Sequence, residues 1–104
     1  MAVAMATGWL IGVMVVTRGE PAPVRHFFAV GHEDRAKAEW TAIDKAQLIG
    51  DVAVSPVGGL EPVHMICELE PKTTRDLALK PGEVRPLGHR WPRRWIPLPV
   101  KEPD

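Results

Sequence analysis

One stretch of the 104-residue chain, Asp34 to Ile49, carries the apolar period of a helix several turns long, while eleven prolines and nine glycines punctuate the rest. The fold is thereby restricted to one principal helix with strands around it. Asp34 stands where an N-cap is needed, and His32-Glu33-Asp34 places acid where the helix dipole favours it. Two stripes step by three or four residues: Ala36, Trp40, Ile43 and Gln47, and beside them Ala38, Ala42, Ala46 and Ile49. Trp40 is the bulkiest of these side chains and is the expected anchor into a sheet. Glu33–Lys37 and Arg35–Glu39 are i,i+4 pairs for the wet side, and Gly50 supplies a C-terminal stop.

Strands are read on either side of this helix. The first seventeen residues, MAVAMATGWLIGVMVVT, carry no charge. A secretory signal needs basic residues ahead of its apolar core, and none occurs before Arg18. A spanning helix needs about 20 apolar residues, with about 17 as the lower limit, and this segment contains β-branched valines and a Gly8-x-x-x-Gly12 pair. The reading adopted is a buried strand, Trp9 to Val16, ended by RGEPAP; the competing one is a membrane segment. VRHFFAV, Val24 to Val30, forms the second strand of an antiparallel N-terminal hairpin. DVAVS and VHMICELE read as further strands. TTRDLAL reads as one or two helical turns capped by Thr73 or Thr74, and EVRPL as an edge strand, since Pro86 cannot donate to a ladder. The expected fold is α+β: an antiparallel sheet of three to five strands, one main helix packed across it, and an extended C-terminal tail rich in Pro, Trp and Arg. Residues 1–87 make a single domain and 88–104 the tail.

Charge narrows the partners. The formal net charge is zero, so no overall field steers the molecule towards nucleic acid or anionic lipid. The distribution is uneven: residues 1–79 hold seven Lys/Arg against ten Asp/Glu, and residues 80–104 hold six against three. Cys67 is the sole cysteine and closes no internal disulfide, which suits a reducing, cytoplasmic setting.

Chemistry has few candidate residues. His64-x-x-Cys67 is short of the three or four ligands a zinc site needs, and on a strand its odd spacing sends the two side chains to opposite faces. Cys67 lies among Met65, Ile66 and Leu69, where burial makes a thiol inert. Ser55 precedes a proline in VAVSPVGG, which is not the G-x-S-x-G turn of a hydrolase. His32, Glu33 and Asp34 sit together, but acids at a helix start are capping groups before they are acid–base pairs. VGG and KPG are single turns rather than phosphate loops. These residues assign no catalytic group, metal or cofactor, and no small-molecule ligand can be inferred from them.

The tail is the remaining feature. Arg90, Trp91, Arg93, Arg94 and Trp95 fall in RWPRRWIPLPV, where Pro92, Pro97 and Pro99 prevent a helix. In an extended, three-residue-per-turn chain, Trp91 and Trp95 point about 120° apart, so one is expected to be more buried than the other. Trp and Arg together suit a lipid interface, and Trp stacking with Arg suits single-stranded nucleic acid, but two rings make a thin nucleic-acid site. Packing on the parent domain or on a protein partner is the preferred reading. The chain is expected to be a small soluble protein that binds another protein or a second copy of itself as a homodimer, without catalysis. Nucleic acid is disfavoured. The alternatives are a peripheral membrane protein using the N-terminal segment or the tail, and a small enzyme using Cys67 or the His32–Asp34 cluster.

Overall fold

A computed structural model of the chain describes residues 8–17, 19, 22–56, 59 and 61–89. Within them the order is β1 (Gly8–Val16), β2 (Val24–Val30), α1 (Arg35–Ala46), β3 (Asp51–Val52), β4 (Val63–Leu69), α2 (Pro71–Asp76) and β5 (Val84–Gly88). The fold is α+β, with a five-stranded antiparallel sheet that contains the expected N-terminal hairpin. β1 is its centre. β2 pairs along one side of β1 from Trp9↔Val30 to Val15↔Val24. The other side is shared: β4 takes Gly8 to Val13 and β3 takes Val15 and Val16. β5 lies outside β2 and carries Pro86, whose missing N–H suits an edge. The uncharged N-terminal stretch is therefore a strand from Gly8 onward. Among the described residues no helix is long and apolar enough to cross a membrane.

The sheet is covered on both faces, which explains why β1 is apolar throughout instead of alternating. Ile11, Val13, Val15, Phe28 and Val30 face α1 and pack with Ala38, Ala42 and Ala46. Leu10, Phe27, Ala29 and Leu69 face the other way and pack with Leu77 at the end of α2.

The helix turns a different stripe inward from the one Trp40 belongs to. Ala38, Ala42 and Ala46 are fully buried, whereas Trp40 is 67% exposed. At 3.6 residues per turn, Trp40 lies about 160° around the helix from Ala42. The reason is volume. Large residues of β1 and β2 already fill the layer between sheet and helix, and a row of methyl groups lets the helix axis come close. An indole there would hold the helix off the sheet. Trp9, on β1, makes the connection that Trp40 was expected to make: its half-buried ring packs on this cluster, and Nε1 donates to the carbonyl of Glu33 at 3.2 Å.

Local boundaries also moved. Asp34 is the N-cap, its Oδ1 accepting from the Lys37 amide at 3.1 Å. The helix ends at Ala46, three residues before the expected limit, with Gln47 as C-cap. Gly50 is thus not the residue that stops it. A Cβ on Gly50 would instead overlap the Val16 carbonyl oxygen, so glycine there permits the chain to cross close to β1. α2 begins at Pro71 and not at a threonine cap. Pro71 fits because the first helical residue needs no amide hydrogen.

The end of α2 contains a strained position. Ala78 has φ of 54°, with its amide donating to Arg75 and the Leu79 amide to Thr74. This is a Schellman-type ending whose left-handed residue is normally glycine. Ala78→Gly should therefore stabilise the fold by about 0.5–1 kcal/mol, relief of the Cβ clash outweighing glycine's extra freedom in the unfolded chain. Chemical denaturation would read this as a higher midpoint with an unchanged slope; a lower midpoint would contradict the left-handed assignment.

Candidate functional site

Two surfaces of the described residues could hold a partner. The first is an open cleft of about 500 Å³ lined by Gly31, His32, Glu33, Thr74, Leu79, Lys80, Pro81 and Gly82. Gly31 makes it. The Gly31 amide donates to the Glu83 carbonyl at 2.8 Å and its carbonyl accepts from Gly82 at 2.5 Å, drawing the 80–83 turn against the end of β2. A Cβ on Gly31 would lie 2.7 Å from the Lys80 carbonyl oxygen, so this approach requires glycine.

His32, Glu33 and Asp34 do come together here, but as a helix start. His32 Nδ1 accepts from the Asp34 amide at 3.1 Å, and Asp34 in turn caps Lys37. Neutral His32 then carries its proton on Nε2, so the ring presents a donor rather than a base at Nδ1. The Glu33 carbonyl is taken by Trp9. Thr74, the one hydroxyl in the cleft wall among the described residues, donates to the Pro71 carbonyl at 2.9 Å. What the cleft presents is shape, backbone polar groups and two exposed charges of opposite sign, Glu33 and Lys80.

Cys67 and His64 lie on the same sheet face, not on opposite faces as regular alternation would put them. The β1–β4 register shifts between Leu10 and Ile11: Leu10 faces Cys67, but Ile11 faces Met65, so Ile66 is an extra residue in a bulge. The bulge reverses the parity of a regular strand. His64, opposite Gly12, and Cys67, opposite Leu10, therefore share one sheet face instead of lying on opposite ones. His64 is exposed and Cys67 half-buried. Burial first, and then the neighbouring Glu68 carboxylate, pushes the Cys67 thiol up from its ordinary value and so favours the unreactive form. Among the described residues no group of three or more His, Cys, Asp or Glu side chains could hold a metal ion.

At the opposite end of β2, the rings of His26 and His89 meet edge-on at 6.4 Å, and burial, followed by His89, lowers the His26 pKa. On the other face of β2 the Arg25 guanidinium lies 5.4 Å from the Phe27 ring centre, and burial lowers its pKa too. Arg90, Trp91, Arg93, Arg94 and Trp95, the contact residues expected from the sequence, lie outside the described residues, as does the unequal burial expected of the two tryptophans.

The second surface is the outward side of α1 and the turn beyond it. Among the described residues, Trp40 at 67% and Leu48 at 80% are the most exposed large apolar side chains of this region, with Ile49 also open to solvent. Ala36, Ile43 and Gln47 continue the Trp40 row along the helix. Sequence periodicity contained this row but not its direction. The signal available was the i+4 spacing of Ala38, Ala42 and Ala46, since only a row of small residues lets a helix lie close on a sheet. The cleft left no such signal, because its walls come from segments about forty to fifty residues apart. No family model matches the sequence, and neither a curated protein nor a solved structure matches it.

Proposed function

We propose that this chain is a small binding protein without catalysis of its own, working in the cytoplasm by protein–protein contact through the outward face of α1. The observation that carries the reading is Trp40. The residue is 67% exposed on a helix whose inward stripe is complete without it. Trp is the residue most enriched at the energetic centres of protein interfaces, and an exposed indole beside Ala36 and Ile43 is a ready anchor. The cationic and aromatic stretch containing Arg90, Trp91, Arg93, Arg94 and Trp95 is proposed as a second contact on the same partner class.

The test separates folding from binding. Trp40→Ala should change stability by no more than about 0.5 kcal/mol, as surface substitutions do, because nothing in the core rests on it. Below micromolar concentration, where assembly adds nothing to stability, the thermal midpoint should match that of the parent chain. A core tryptophan would instead cost about 3–5 kcal/mol on truncation. A fall of that size would place Trp40 in the fold and sink the reading.

A further inference from the structure

The outward face of α1 also indicates what it binds, and this inference rests on the reading just given. Lys37 and Asp44 are both exposed and seven residues apart on α1. Two turns of helix put them on the same flank of the Trp40 row, about 10.5 Å from each other. Among the described residues neither side chain has an ion-pair partner, although Arg35 on the same helix is paired with Glu39 at 3.6 Å. The flank therefore carries an unpaired positive charge towards the N-terminal end and an unpaired negative charge towards the C-terminal end, with the tryptophan between.

Such a pattern is complementary to itself. In a two-fold pair the same patch meets its own copy, and when two helices pack antiparallel each flank faces the like flank of its partner. With the axis between positions 40 and 41, Lys37 of each copy faces Asp44 of the other. The two ion pairs flank a centre made of both Trp40 rings. A parallel arrangement would set this flank against the partner's opposite one, the Ala36 and Ile43 side, and would pair no charges. Zero net charge leaves no long-range repulsion to oppose the encounter. We infer that the partner of the α1 face is a second copy of this chain, docked helix to helix in antiparallel orientation.

The contact is small. A standard interface buries about 800 Å² per partner, and one face of a 12-residue helix offers less, even with Leu48 in the turn beyond its end. The dimer is accordingly expected in the micromolar rather than the nanomolar range. Sedimentation equilibrium of the full chain, from low micromolar to near-millimolar concentration, should show the mass rising from one chain to two. Trp40→Ala should remain monomeric. Lys37→Asp and Asp44→Lys should each weaken association about tenfold, two attractive rim pairs having become two repulsive ones, and the double variant should recover it. A dimer that survives Trp40→Ala, or a double variant no better than the single ones, would mean that the copies meet through another surface and would overturn the proposal. A chain monomeric at every concentration overturns it as well. If Trp40→Ala then leaves the thermal midpoint unchanged, the face remains available to an unlike protein and only the identity of the partner was wrong; a lowered midpoint removes the binding face itself.

Discussion

Phe28→Ala should lower stability by about 3–5 kcal/mol, a loss large enough to leave much of the chain unfolded in mild denaturant. Phe28 is fully buried on β2, opposite Ile11 of β1, in the layer that faces α1. Across from it stand Ala38, Ala42 and Ala46. These alanines cannot extend into the space a deleted ring would leave, so the cavity would stay open. Phe28→Leu, which keeps most of the volume, should cost less than about 1.5 kcal/mol. Urea titration of the two variants measures the contrast. Equal midpoints would mean that the layer beneath α1 is loosely packed and that the alanine row does not set its thickness.

Gly50→Ala should be the next most damaging of the conservative changes, costing about 3 kcal/mol as a severe case of overpacking. The added Cβ would meet the Val16 carbonyl oxygen, with the Val15 side chain at 3.0 Å beside it. A side chain could rotate away, but a strand carbonyl cannot without disturbing the pairing of Val15 with Val52 and Val16 with Asp51. The variant should therefore lose amide protection in Asp51 to Ala53 and at the end of β1 before it loses protection elsewhere. Were Gly50 only a helix stop, alanine would cost no more than the loss of a C-terminal cap, and the β1–β3 amides would be unaffected. Hydrogen exchange distinguishes the two outcomes.

Much of the fold was legible because its signals are local. The cap at Asp34, the β-branched and aromatic residues of β1 and β2, and the break at RGEPAP each act within a few residues. The same is true of Pro86, which put β5 at an edge before any pairing was known. The candidate site was far less legible. His32, Glu33 and Asp34 were visible as a group, yet the cleft beside them also needs Thr74 and the 79–82 turn, which only folding brings near. His64 and Cys67 share a face because one residue was inserted at Ile66, and a bulge is a property of two paired strands rather than of one.

The sequence by itself determined which segments are helix and which are strand, since backbone preference and period are settled within a turn or two of chain. Only the tertiary structure decided which way α1 faces. Both of its stripes have helical spacing, and periodicity cannot rank them. The choice fell to the volume already occupied by Ile11, Val13, Phe28 and Val30 on the sheet. With that space filled, the closest approach belongs to the smallest side chains, so three alanines went in and the tryptophan was left at the surface.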